Sequence, residues 1–226
     1  MKRLHYIDKI RGLAIINMVL FHLCFNLVYM KGLSLPFFEG SFGDVWGFLI
    51  RASFITISGI SFNFSKNNLR HSLKLMAAAL IISLGSYVFD RELFIKFGII
   101  HFLALASLIA IGVDKIFRKD SAKIFFPLSI LVFTLSFAFM NKSIYIGTNA
   151  LAFIGLYNRD FRSADFFPLV PWYFLYLAGY FSYYVFDYRA IDSKESPLSR
   201  LGQKSLLIYL IHQPIIVAIM AVLGRI

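Results

Sequence analysis

YIDKIRGLAIINMVLFHLCFNL, residues 6–27, reads as a membrane span with a polar face. The run is apolar over most of its length and meets the roughly 20 residues that a helix needs to cross the hydrocarbon core. Asp8, Arg11, His22 and Asn26 are among the polar residues that interrupt it. Arg11 and His22 are 11 residues apart; at about 100° per residue they return to within about 20° of one face, roughly 16 Å apart along the axis. Asp8 falls one turn before Arg11, and Asn26 one turn after His22. A polar stripe therefore runs along a helix whose other faces are apolar, from the cytoplasmic edge toward the outer third of the bilayer.

The rest of the chain has the same character. Hydrophobic residues make up 59% of it and charged residues only 15%, against about 25% charged in an average soluble domain. Apolar runs occupy residues 8–29, 44–64, 73–89, 97–113, 124–140, 168–186 and 204–224. Each is a helix, because only helices and closed barrels satisfy their backbone groups in lipid and these runs lack strand alternation. The fold class is all-α: a polytopic integral membrane protein of about seven transmembrane helices, residues 1–226 forming a single transmembrane domain. No small-x-small cleavage site follows Lys2 and Arg3, so the first segment is retained rather than removed as a signal peptide. The single Cys24 excludes a disulfide framework and a cysteine metal site. No internal repeat suggests a transporter of two related halves.

Lys and Arg set the orientation. With the N-terminus in the cytoplasm, 15 lie inside: Lys2, Arg3, Lys9, Arg11, Lys66, Arg70, Lys74, Lys115, Arg118, Lys119, Lys123, Arg189, Lys194, Arg200 and Lys204. Seven lie outside (Lys31, Arg91, Lys96, Lys142, Arg159, Arg162 and Arg225), and Arg51 falls within a span. This is the positive-inside arrangement of a cell inner, or cytoplasmic, membrane protein. The net charge of +11 sits in short clusters between apolar runs, where lipid headgroups explain it and nucleic acid does not. The external stretch 141–167 has an apolar front part, 144–157, that suits an interfacial or re-entrant segment.

Ionisable residues within spans are costly and mark candidate sites. Asp44, Arg51 and Ser58 recur at intervals of seven on the second span. Arg51 is expected about 10 Å below Asp44, where a buried guanidinium takes either a structural carboxylate or a substrate phosphate or carbonyl. His101 near the outer end of the fourth span and His212 at mid-depth of the seventh join His22 as three membrane-embedded histidines. Each is either a hydrogen-bonding structural residue or a functional one. Their spacing lacks a metal-ligand pattern, and no metal is expected. Pro214, just after His212, frees a carbonyl near Leu210 and bends the span there. Pro168 and Pro171 read as a helix start, Trp172 as an interfacial anchor, and glycines 59, 85, 98, 112, 179 and 202 as close-packing positions.

The opening stretch, with Asp8, Arg11, Gly12 and a histidine 11 residues after the arginine, resembles the start of membrane acyltransferases related to lysosomal heparan-α-glucosaminide N-acetyltransferase, and of the broader acyltransferase-3 type. RASFITISGIS (51–61), FGIIHFLAL (97–105), SADFFPLVPW (163–172) and LGQKSLLIYLIHQP (201–214) extend the resemblance over most of the chain. It implies transfer of an acyl group, commonly acetyl, from cytoplasmic acyl-CoA to an amine or hydroxyl of an exofacial sugar or glycan. The implied partners are the bilayer, acyl-CoA as co-substrate and an amino-sugar or glycan acceptor, with a homo-oligomer open. Arg3, Lys9, Arg11, Lys66 and Arg70, beside Asp8, would receive the CoA phosphates. A histidine would act as general base or as a transient acyl carrier, Arg51 would polarise the thioester, and Asp44, Asn26 and Asp165 would face the acceptor. Unlike the lysosomal enzyme, residues 30–43 contain no histidine, which leaves catalysis divided among His22, His101 and His212; the last has a counterpart throughout the lysosomal-type family. Two other readings stand beside it: a transporter using the buried His and Arg residues, and a scaffold whose polar groups serve packing.

Overall fold

In a computed structural model, residues 4–117, 119–140, 145–191 and 194–224 are described. Lys2, Arg3, Arg118, Lys142 and Arg225, all used in the sequence reading, lie outside the described residues. Among the described residues all regular elements are helical: α1 His5–Tyr29, α2 Pro36–Glu39, α3 Ser41–Phe62, α4 Asn68–Phe89, α5 Ile99–Ile116, α6 Ala122–Met140, α7 Leu169–Val185, α8 Pro197–Gln203 and α9 Ser205–Leu223, with two short 3-10 turns. Six stretches are long and apolar enough to cross a membrane: His5–Tyr29, Ser41–Phe62, Asn68–Phe89, Ile99–Ile116, Lys119–Phe139 and Ser205–Val222. The remaining expected span is the 17-residue α7, about 25 Å long against a core of about 30 Å.

Their outward faces are lipid-like rather than water-like. On α4, Leu80, Ile81, Leu84 and Val88 are 61%, 65%, 66% and 76% exposed. A contiguous apolar face of that kind is unfavourable in water and neutral in hydrocarbon. Helices in lipid gain nothing from hiding oil from oil, so their association rests on close backbone approach and interhelical hydrogen bonds.

The chain divides into two compact units, residues 1–54 with 188–226, and residues 55–187. In the first, α8 lies against the start of α1. A Cβ on Gly12 would fall on the Leu198 carbonyl, and one on Gly202 would fall on the Asp8 carbonyl and the Gly12 nitrogen. Residues 197–203 lie between the apolar runs 168–186 and 204–224. They form a helix because Ser196 caps them, its hydroxyl accepting from the Ser199 backbone N–H while Ser199 Oγ accepts from the Ser196 N–H, and because Pro197 pre-sets the first turn. Ile15, Met18 and Ile50 form the core of this unit, with Trp46, Phe54 and Ile208 packed on them.

The second unit uses the same device. A Cβ on Gly59 would meet the Tyr176 carbonyl, and one on Gly179 the Thr56 carbonyl, so the end of α3 and α7 run backbone to backbone. Asn63 adds a 3.1 Å bond from Nδ2 to the Tyr180 carbonyl. Buried Ser72 and Ser107 pair at 2.6 Å between α4 and α5. Two expectations change here. Among the described residues nothing lies within 4 Å of a Cβ built on Gly85 or Gly112, so neither makes a close contact there. Trp172 is 6% exposed, sandwiched by Phe133, Phe137 and Phe167, which makes it a core residue rather than an interfacial anchor. The external stretch is no membrane-length helix in its described part. It holds a parallel bridge of Tyr145 with Tyr157 and a 3-10 turn at Ala152–Ile154, closed by the Ile146 N–H donating to the Tyr157 carbonyl at 2.9 Å.

Substituting Val for Gly12 or Gly179 should lower thermal stability in detergent, by about 1–3 kcal/mol or more since the obstacle is backbone. Gly112→Ala should be neutral or raise stability by up to about 1 kcal/mol. Equal melting temperatures for all three variants would remove the packing role assigned to the glycine pairs.

Candidate functional site

The polar stripe of α1 meets three different partners. At its start, Arg11 Nη1 lies 2.9 Å from Asp8 Oδ1, and Asp8 is 4% exposed. The pair is local, three residues apart on one helix, and places a compensated charge where α8 covers it. On a neighbouring face, Trp46 Nε1 of α3 donates to Asn17 Oδ1 at 3.0 Å. Further along, His22 and His212 bring their rings together at a centroid distance of 4.8 Å, 53° between planes. One turn beyond, Asn26 Nδ2 donates to Gln213 Oε1 at 2.9 Å, with the reverse contact from Gln213 Nε2 to Asn26 Oδ1 at 3.5 Å. Residues 22 and 26 of α1 thus pair with 212 and 213 of α9, and the amide pair fixes the register in which the imidazoles face each other.

The protonation pattern of His212 follows from its contacts. Its Nδ1 lies 2.6 Å from the Tyr209 carbonyl oxygen, which can only accept. Neutral His212 therefore carries its proton on Nδ1 and presents a lone pair at Nε2. Among the described residues that Nε2 is buried with no hydrogen-bond partner, as is Nδ1 of His22. Two buried, unpartnered imidazole nitrogens in one place are uncommon, since buried polar atoms are ordinarily satisfied. The carbonyl taken by the ring is that of Tyr209, one residue before the Leu210 carbonyl that Pro214 was expected to free.

His101, in the second unit, is different. Its Nδ1 accepts the Gly98 backbone N–H at 3.2 Å, so Nε2 bears the proton and donates to Ser83 Oγ at 2.9 Å. Ser83 passes its own hydrogen to the Ile95 carbonyl at 2.7 Å. Both ring nitrogens are engaged in closing the N-terminus of α5. Asp165 works at the same end, its Oδ2 accepting from the Ile99 N–H at 3.0 Å. Ser163 ties the two strands of that clasp, accepting from the Lys96 N–H and donating to the Asp165 carbonyl.

Arg51 was expected to be buried and is exposed instead. Its Nε donates to the Gly47 carbonyl at 2.9 Å. The absent side chain of Gly47 leaves room for both the Arg51 guanidinium and the ring of Phe21, the residue before His22. Asp44 and Arg70 are exposed, Lys9 is partly covered, and the Arg70 N–H caps onto Asn67 Oδ1. Lys9 and Arg11 belong to the first unit, Lys66 and Arg70 to the second. Gln213, not among the candidate site residues of the sequence, is the addition; its signal was its place directly after His212, about 100° round the same helix. Among the described residues no group of three or more His, Cys, Asp or Glu could hold a metal ion.

No curated protein and no solved structure matches the chain. Residues 3–214 match the family described as heparan-alpha-glucosaminide N-acetyltransferase, catalytic, a stretch that takes in all of α1 to α8 and α9 as far as Pro214. With its membrane-length apolar helices and that match over nearly its whole length, the chain belongs to the heparan-alpha-glucosaminide N-acetyltransferase catalytic family of membrane transferases.

Proposed function

We propose that the protein moves an acetyl group from acetyl-CoA on the cytoplasmic side to an amine or hydroxyl of a sugar or glycan on the far side, with His212 as general base. The observation that carries this reading is the buried, unpartnered Nε2 of His212, its lone pair fixed by the bond from Nδ1 to the Tyr209 carbonyl. An acceptor N–H or O–H gives its proton to Nε2 as the acceptor atom bonds to the thioester carbonyl carbon. The C–S bond then breaks, and the departing CoA sulfur takes the proton back from the imidazolium. His22, 4.8 Å away ring to ring, stabilises and orients that imidazole. The same lone pair also suits a transient acyl-imidazole, in which Nε2 itself attacks the thioester and then hands the acetyl group to the acceptor.

Arg51, exposed and held by the bond from its Nε to the Gly47 carbonyl, would polarise the thioester oxygen, and Asn26 and Asp44 lie on the acceptor side of this scheme. Arg11 is compensated by Asp8, so Lys9 is the better candidate within the first unit for a CoA phosphate. His101 and Asp165 serve the α5 terminus and leave the chemistry to the α1 and α9 pair. The excess of Lys and Arg on one side supports an N-terminus inside; in this scheme the chain is one transmembrane domain of seven spans in the cytoplasmic membrane, with the 17-residue α7 as the shortest crossing.

Purified protein given radiolabelled acetyl-CoA and an amino sugar should transfer label, and His22→Ala and His212→Ala should each lower turnover by about 100-fold or more while remaining monodisperse. His101→Ala should instead lower the melting temperature and leave the turnover of the folded fraction nearly intact. Full activity in both the His22 and His212 variants would sink the assignment. Acid-quenched protein retaining label in the wild type and losing it in His212→Ala would select the acyl-imidazole route.

Orientation has its own measurement. In a Cys24→Ser background, Asp160→Cys should react with impermeant thiol reagents on intact cells and Arg118→Cys should not; the opposite labelling would invert the topology.

A further inference from the structure

The second unit holds a small cavity, about 100 Å³, at one end of α5, α6 and α7. Asp114 of α5 and Lys119 of the following 3-10 turn line it, with Tyr180, Phe181 and Tyr184 of α7 and Phe117. Tyr180, 2% exposed, donates its hydroxyl to Asp114 Oδ1 at 2.6 Å. Lys119 Nζ sits 5.9 Å from the Tyr184 ring centroid. The two opposite charges share the cavity yet do not pair with each other within 4.0 Å, although each would be the other's obvious neutraliser. The acyl-transfer chemistry uses neither.

Three features define what would fit. The cavity lies at the turn between two membrane-length helices, the level of lipid headgroups whichever side it faces. A carboxylate beside aromatic rings attracts an ammonium, by charge-assisted hydrogen bonds and by the ring faces together. A separate lysine attracts an anion a few ångströms away. We propose that this cavity binds a membrane lipid carrying a phosphoethanolamine headgroup, its primary ammonium at Asp114 and its phosphate at Lys119. The ammonium's N–H donors match the carboxylate oxygens, which a quaternary choline head has no hydrogens to meet, and a phosphoglycerol head lacks the cation altogether. The volume accommodates several waters, hence a short aminoethyl group rather than a bulkier head.

The test uses the full chain, delipidated in detergent and titrated with phosphatidylethanolamine, phosphatidylcholine, phosphatidylglycerol or soluble phosphoethanolamine, reading melting temperature and bound lipid by native mass spectrometry. Phosphatidylethanolamine should bind saturably and raise the melting temperature, and Asp114→Asn and Lys119→Gln should each weaken it about tenfold. Equal shifts with the choline or glycerol lipid, or binding that neither variant weakens, would overturn the site. Soluble phosphoethanolamine matching the lipid at equal concentration would overturn the lipid assignment in favour of a free metabolite. Should a variant fail to fold, a photoreactive phosphoethanolamine lipid on the unaltered protein should label residues 114–122 and 180–184; labelling only elsewhere would refute the proposal.

Discussion

Backbone contact between helices is the constraint on which the rest of this structure depends. In lipid, apolar side chains lose little by facing outward, so nothing like the aqueous hydrophobic effect squeezes the helices together. What holds each unit is a reciprocal pair of glycine contacts, Gly12 with Leu198 and Gly202 with Asp8 in one, Gly59 with Tyr176 and Gly179 with Thr56 in the other. Each pair lets carbonyls approach where a Cβ would stand, and dispersion contacts accumulate along the seam. The first seam fixes α8 at the start of α1, and α9 follows α8 directly, so α9 is led back along α1 to where the Asn26–Gln213 pair fixes the register of His212 against His22.

That register decides which ring nitrogens keep no partner among the described residues. A histidine pointed into an apolar bundle ordinarily finds a donor and an acceptor and becomes structural, as His101 does with Gly98 and Ser83. Among the described residues His212 finds only the Tyr209 carbonyl. The difference is local geometry rather than residue type: His101 stands at a helix start, where free N–H groups surround it, whereas His212 stands inside a helix whose N–H groups are already used. The second nitrogen of His212 is left bare, beside an equally bare nitrogen of His22, and the Asn26–Gln213 amide pair prevents the helices from sliding to relieve it.

The loop residues that looked most like acceptor contacts are occupied instead with the N-terminus of α5. Free N–H groups at a helix start attract a carboxylate, and Asp165 answers the Ile99 N–H as a cap supplied from a distant segment. A carboxylate so engaged is chiefly an anchor, joining the 163–167 segment to residues 95–99. Aromatic packing completes the clasp: Phe167 lies on Trp172, and Tyr157, Phe161 and Phe166 cluster beside it.

The sequence by itself determined the solvent of this protein, its helical class, the positions of its membrane-length helices to within a few residues, and the stripe of Asp8, Arg11, His22 and Asn26. Those properties follow from hydropathy and from a fixed 100° turn per residue, which are local. Which glycines are contacts and which face lipid, that Trp172 is core, that Arg51 is exposed, that residues 197–203 form a helix against α1, and that Gln213 meets Asn26 were decided by tertiary structure. Each depends on what another helix brings to the same height, and no local period carries that information. The three histidines look alike in sequence; only their neighbours separate a ring engaged at a helix start from one that keeps a bare nitrogen among the described residues.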